Sequence, residues 1–305
     1  MKPQLLYKVV ELLENSGFTI SDCMGSRSCF DLIAKKDRLL FFIKVLSNIE
    51  GLSSNTVHEL KKVSSLTGGV PIVVGERLKS SRLMDGVLYE RYGVQVLNVF
   101  TLENVVSNSM PVAHAVRGNY CAKINSEMLK RLRSGLNLTQ EELARELDVS
   151  KQSIYRYEST GRVLFKVMER MLNLFEENEK LLLHESIFSS GVPQEDGAFN
   201  MHVTDMTKKV ADKLEGIGFS TSITNAPFDV VAKENETVYT LVSDDYRRLE
   251  QKIDLIDEMM YLIGGYSMCV TNRQVSPKRV AVLRPEELEE FDSPRELFKR
   301  LGRRF

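Results

Sequence analysis

The chain has 305 residues, 43% of them hydrophobic and 27% charged, enough for two or three domains that each bury a core of their own. A formal net charge of −1 excludes a polycation that coats nucleic acid without selection, and no apolar run approaches the ~18–20 residues of a membrane-spanning helix. Four scattered cysteines, with no CxxC and no Cys/His cluster, exclude a zinc-stapled or disulfide-dense scaffold, and with no signal peptide they point to a reducing cytoplasm.

Helical periodicity opens the chain. Leu5, Val9, Leu12 and Leu13 share one side of a helix over residues 4–16, which Gly17 ends. Residues 29–34 (CFDLIA) read as a strand, 35–38 as a turn and 39–46 (LLFFIKVL) as a second, mostly buried strand. A helix over 56–66 stops at Gly68-Gly69, and short strands follow at 70–74 and 93–99, with a last helical turn at 101–105. Helices alternating with apolar strands indicate an α/β domain. Residues 110–118, with Pro111 and Gly118 as breakers, read as a loose joint.

The centre of the chain changes character. Between Arg117 and Arg170 there are eleven Lys and Arg against seven Asp and Glu, a local positive excess on a neutral chain. A helix over 125–134 turns Met128, Leu129 and Leu132 inward and leaves Lys130, Arg131 and Arg133 on outer faces, to meet phosphates or solvent. Residues 139–158 (TQEELARELDVSKQSIYRYE) then hold two short amphipathic helices about a tight turn. Thr139 and Glu142 have the spacing of a capping box, and Ser150 is the natural N-cap of the second helix. Small Ala144 lets the two helices cross closely, and Val149 is the one apolar residue of the turn. In the second helix Ile154 and Tyr157 face inward, while Lys151, Gln152, Ser153, Tyr155 and Arg156 remain outside. Gln and Arg can bond base edges bidentately, and Lys and Ser reach phosphates or bases. After a turn at 159–162, a long apolar helix is expected over 164–183.

This stretch resembles the Cro/C1-type helix-turn-helix family, on Leu132, Thr139-Gln140, Leu143-Ala144, Val149-Ser150, Ser153-Ile154 and Tyr157-Glu158, with Tyr157 where Trp is common. The resemblance implies a compact five-helix domain whose third helix enters the major groove. By it, Gln140 contacts the DNA backbone or braces the reading helix, and Lys151, Gln152, Ser153 and Arg156 face the groove.

Residues 189–197 (SSGVPQEDG) have linker composition. Beyond them the order of landmarks repeats. Gly218-Phe219 answers Gly17-Phe18, PFDVVAK (227–233) answers CFDLIAK (29–35), TVYTLV (237–242) answers the second strand, and Gly264-Gly265 answers Gly68-Gly69. YSMCV (266–270) and VAVL (280–283) answer the two later strands, and Lys299, Arg300, Arg303 and Arg304 end the chain in a small basic patch. Each copy resembles the PD-(D/E)xK nuclease and Holliday-junction-resolvase-like family: a helix, Phe-Asp in a strand, a hairpin, a hydrophobic strand. Asp31 and Asp229 stand where that family's Asp would be. Its acid-x-Lys pair is missing, with Lys44 and Leu46 in one copy and Val242 and Asp244 in the other. A hard divalent ion wants several oxygen donors, so the resemblance implies an inherited fold without the metal chemistry.

The expected architecture is α/β plus all-α: an α/β, restriction-endonuclease-like module over 1–112, the helix-turn-helix domain over 118–188, a linker over 189–203 and a second α/β module over 204–305. The whole arrangement is similar to helix-turn-helix transcriptional regulators found in archaea. It implies a non-enzymatic, cytoplasmic regulator that reads double-stranded DNA as a homodimer, without metal or cofactor and without contact with a membrane. Gln140, Lys151, Gln152, Ser153, Tyr155 and Arg156 are the expected DNA-binding residues, and the α/β modules are left open to an effector or protein partner. The alternative is a metal-dependent nuclease or DNA-repair enzyme targeted by the helix-turn-helix.

Overall fold

The computed structural model describes residues 2–23, 28–116, 118–176, 178–183, 203–224, 226–275 and 280–302. The expected linker, apart from Val203, and the basic residues Arg303 and Arg304 lie outside them. The chain divides into two compact units. One comprises Met1–Val74, Tyr92–Val94 and Ser189–Phe305; the other comprises Gly75–Arg91 and Gln95–Phe188. Among the described residues no helix is long and apolar enough to cross a membrane.

The first unit begins with helix α1 (Lys2–Asn15), which buries Leu5, Val9 and Leu13 at helical spacing. Strands β1 (Thr19–Asp22), β2 (Leu32–Lys36) and β3 (Leu39–Asn48) form an antiparallel meander. Leu32 pairs with Ile43, and the Asp31 amide continues the ladder to the Ile43 carbonyl at 2.8 Å. Phe18 stacks on Phe41 at 5.4 Å, and Phe30 meets Phe42 edge-on at 5.1 Å. Ser53 caps helix α2 (Ser54–Thr67), and strand β4 (Val70–Leu78) lies next to β3. Gly69 has no room for a side chain, since a Cβ would lie 2.6 Å from the Phe42 ring.

In the second unit, β5 (Ser81–Arg82) pairs with the outer end of β4, followed by β6 (Val87–Arg91), β7 (Val94–Leu97) and helix α3 (Val99–Val106). The joint expected at 110–118 is instead structured: β8 (Ala113–Val116) is parallel to β6 and antiparallel to β9 (Asn119–Lys123). Ala113 and Ala122 are the residues these strands bury, and two alanines give little of the apolar alternation that marks a strand. Helices α4 (Ser126–Gly135), α5 (Gln140–Glu146) and α6 (Lys151–Thr160) follow, then strand β10 (Arg162–Leu164) on β9, and helix α7 (Phe165–Leu174). The sheet runs β7-β6-β8-β9-β10.

The long helix expected to reach residue 183 stops at Leu174. Glu176 adopts φ +53°, and the chain turns back. Leu182 bridges Ile124, and the Asn125 amide donates to the Leu181 carbonyl at 2.8 Å. Leu181 thus reaches the core on an extended return through a single 3₁₀ turn, Glu179–Leu181. Among the described residues of this domain, four α-helices and this turn stand where five helices were expected.

The C-terminal part of the first unit is built from α8 (Asp205–Gly216), β11 (Ser220–Ile223), β12 (Val230–Lys233), β13 (Thr237–Val242), α9 (Tyr246–Ile263), β14 (Tyr266–Val270), β15 (Ala281–Leu283), α10 (Pro285–Glu289) and α11 (Pro294–Leu301). β11, β12 and β13 are antiparallel; β13, β14 and β15 are parallel. Leu214, Phe219, Val230, Met268 and Leu297 belong to its core. Within this unit, Lys35 Nζ donates to the Leu262 carbonyl at 2.6 Å and Lys233 Nζ to the Leu66 carbonyl at 3.2 Å.

Candidate nucleic-acid interface

The capping box forms as the spacing requires. The Thr139 hydroxyl accepts from the Glu142 amide at 3.2 Å, and the Glu142 carboxylate accepts from the Thr139 amide at 2.7 Å. Asp148 takes φ +51° to turn the chain, and the Val149 amide closes on the Ala144 carbonyl at 2.9 Å. Ala144 is buried where α5 meets α6, and the Ser150 hydroxyl caps α6 by accepting from the Ser153 amide at 3.2 Å. Ile154 and Tyr157 of α6 enter a core with Leu129, Leu143, Leu147 and Met171. The opposite face carries Lys151, Gln152, Tyr155 and Arg156, all exposed, with Tyr155 at 66%. Ser153 is half-buried, its hydroxyl 3.0 Å from that of Ser150. The Arg156 guanidinium lies 5.7 Å from the centre of the Tyr157 ring.

Glu158 ends the cationic face, and its carboxylate turns inward. One oxygen accepts from Arg133 Nε at 2.6 Å and the other from Gln140 Nε2 at 2.7 Å. Arg133 also donates to the Leu138 carbonyl at 2.8 Å. The side chains of Arg133 and Glu158 are only 18% and 5% exposed, so the pair is sheltered from solvent screening. One carboxylate thus joins α4, α5 and α6. Gln140 thus braces α6 from α5, and Arg133, expected on an outer face, is instead a half-buried strut between α4 and α6. Lys130 pairs with Glu127 on the exposed side of α4.

The two aspartates at the nuclease positions are occupied from within. Asp31 Oδ2 accepts from the Val45 amide at 2.8 Å, and its Oδ1 lies 3.3 Å from Lys44 Nζ. Asp229 Oδ2 accepts from the Val242 amide at 2.8 Å, and its Oδ1 is paired with Arg248 of α9. Burial pushes the Asp229 carboxyl above its ordinary range, against the opposing pull of Lys252, the Val242 amide and Arg248. The ladder places Lys44 opposite Asp31 and Leu241 opposite Asp229, so the facing residue in the second case is Leu241, one position before the expected Val242. Neither an ammonium nor an alkyl group supplies an oxygen to a divalent ion, and among the described residues no three His, Cys, Asp or Glu gather for one. The residues present do not fit the metal of the nuclease fold.

Residues 126–185 match the model of a helix-turn-helix domain, and residues 2–112 match that of a PD-(D/E)XK superfamily domain. Over 330 aligned residues the chain is 30% identical to a protein of Methanococcus maripaludis strain C6, covering 100% of this chain and 98% of that one. It is 28% identical to one of Methanocaldococcus jannaschii (99% and 96% covered) and 30% identical to one of Methanothermobacter thermautotrophicus (99% and 97%). Each bears the name "Putative HTH-type transcriptional regulatory protein". The chain belongs to this family of archaeal HTH-type transcriptional regulators. No solved structure matches it.

In this regulator the expected contact residues divide by position. Lys151, Gln152, Tyr155 and Arg156 lie together on one exposed face, Ser153 sits at its edge, and Gln140 stands behind it. The Arg133–Glu158 strut was missed because the two are 25 residues apart in sequence. A signal was present: Glu158 is the one acid in a helix that otherwise carries cations, amide and hydroxyls.

Proposed function

We propose that this regulator reads an operator by laying the Lys151–Arg156 face of α6 in the major groove, and that it does so as a homodimer. The observation that carries the reading is the buried Glu158 clamp. It fixes α6 from behind through Arg133 and Gln140, so the polar face is presented without help from DNA. Preorganisation of this kind removes part of the ordering cost of binding. A single short helix covers a half-site, so two copies should read half-sites about one helical turn, roughly 34–36 Å, apart. Selecting bound genomic fragments with the purified chain and footprinting them tests this. Two protected half-sites at that spacing are expected, and protection without sequence preference would contradict it.

The terminal modules, on this reading, are a non-catalytic duplicated pair that folds together in cis. Several recurrences support duplication. Asp31 and Asp229 accept from the equivalent amides of Val45 and Val242, and the Phe30–Phe42 contact recurs as Phe228–Tyr239. Gly69 lies against Phe42 as Gly265 lies against Tyr239, 3.1 Å from a would-be Cβ. The bonds between the halves are reciprocal as well. Lys35 reaches the carbonyl two residues before Gly264, and its counterpart Lys233 reaches the carbonyl two residues before Gly68. Residue i meeting j while j meets i is the mark of a two-fold interface. Supercoiled plasmid with Mg²⁺ or Mn²⁺ is the test of the catalytic alternative: no nicking is expected, and nicking abolished by Asp31→Ala would establish a nuclease.

A further inference from the structure

We propose that the second unit holds a binding site for a small organic anion, in the cavity between Lys123 and Arg162, and that its occupancy changes the affinity of α6 for DNA. The second half of this proposal rests on the groove-reading role of α6; the first does not. The cavity measures about 230 Å³ and is lined by Leu88 and Glu90 of β6, His114 of β8, Cys121 and Lys123 of β9, and Arg162 of β10. That is below the roughly 300–1,000 Å³ of sites for drug-sized ligands, so the occupant is small.

Register places the charges. Arg162 and Lys123 are direct partners across the antiparallel β9–β10 pair, and His114 is the partner of Cys121 across β8–β9. Strand partners share a face, so these four side chains line one side of the sheet. The lining thus brings two cations, Lys123 and Arg162, side by side, with Glu90 as its acid. An anion seated between the two cations meets both, bidentate at the guanidinium. Burial, and next Lys123, hold His114 below its ordinary pKa, with Glu90 opposing. Leu88 supplies an apolar surface for a short carbon skeleton.

The other side of the same strands is the wall of the helix-turn-helix. Ala122 and Val163 are buried in one core with Ile154 and Tyr157 of α6. β10 starts directly after Gly161, the C-cap of α6, and the Gly161 carbonyl accepts from the Ile124 amide at 2.8 Å. Whatever draws Lys123 and Arg162 together therefore acts on the strand that ends the reading helix.

The test titrates the full-length chain with succinate, 2-oxoglutarate, benzoate and inorganic phosphate by calorimetry, without DNA. Binding of at least one probe is expected, weakened tenfold or more by Lys123→Met and by Arg162→Met and partly restored by Arg162→Lys, while Lys151→Met leaves it unchanged. In the wild-type chain the bound probe should slow alkylation of Cys121, the one cysteine of the four that is not buried. This readout does not depend on how the variants fold. Adding operator should then shift probe affinity about fivefold or more, with the reciprocal shift in operator affinity. No binding by any probe, or binding indifferent to both substitutions, overturns the site; binding without the reciprocal shift overturns the coupling. If the two variants instead lower affinity for random DNA and reduce its salt dependence while no probe binds, the cations are phosphate contacts and the site is refuted. Failure of α6 to read sequence is seen separately, with Gln152→Ala, and leaves the calorimetry untouched.

Discussion

Glu158 holds the reading helix through two hydrogen bonds, and both donors depend on it. Glu158→Ala leaves Arg133 sheltered and without its carboxylate. Breaking a buried ion pair from one side costs about 3–5 kcal/mol, so the unfolding midpoint in urea should fall sharply. Glu158→Gln, which keeps an acceptor, should cost less. Gln140→Ala loses one bond at the edge of the network and should cost about 1 kcal/mol, with weaker DNA binding on every sequence alike. Asp229 gives a prediction in pH. Its folded pKa is raised, so protonation favours the fold: this contribution is complete below about pH 4 and is lost as pH rises through the folded value. Against Asp229→Asn, the wild-type chain should therefore gain stability on acidification from neutral pH, as thermal melts across pH would read. A constant difference between the two would mean that the carboxyl titrates alike folded and unfolded.

Short elements join α6 to the sheet, and Gly161 is the tightest point among them. It has φ +65°, and a Cβ there would lie 2.5 Å from the Ile124 carbonyl oxygen. Gly161→Ala meets both the strained dihedral and the clash. It should cost more than the roughly 0.4–1 kcal/mol that glycine replacement returns at a compatible site, and hydrogen exchange at β10 should rise first. The helix-turn-helix itself was legible because its signals are local: the Thr139–Glu142 box, the Ser150 cap and the apolar spacing of Leu143, Leu147, Ile154 and Tyr157 all act within a few residues. The β8, β9 and β10 strands were not legible, because each is short and what fixes it is a partner elsewhere in the chain. The same holds for the stretch after α7. Leu181 and Leu182 continue an apolar run in sequence, but their place is beside Ile124, and pairing there overrides helical periodicity.

For the molecule as a whole, the sequence pointed to two nuclease-like modules around a DNA reader; the superfamily match covers residues 2–112, and the C-terminal part forms a sheet of its own in the order β11-β12-β13-β14-β15. What it could not convey is which parts fold together. The termini share one unit, and residues 75–91 and 95–112 fold with the helix-turn-helix. Lysine-to-carbonyl bonds between the terminal halves leave no trace in local pattern, since lysines at strand ends are ordinary. If those halves are a pair in cis, Lys35→Met and Lys233→Met together should expose the joint to hydrogen exchange and lower the melting temperature without altering operator affinity.

The central claim is that the exposed face of α6 reads bases. Fluorescence anisotropy with the footprinted operator and with random duplex, for the wild type, Gln152→Ala, Arg156→Ala and Lys151→Ala, tests it most directly. Gln152→Ala or Arg156→Ala should cost about 1–3 kcal/mol on the operator and little on random DNA, whereas Lys151→Ala should weaken both alike. Equal losses on operator and random duplex for all three substitutions would contradict the claim.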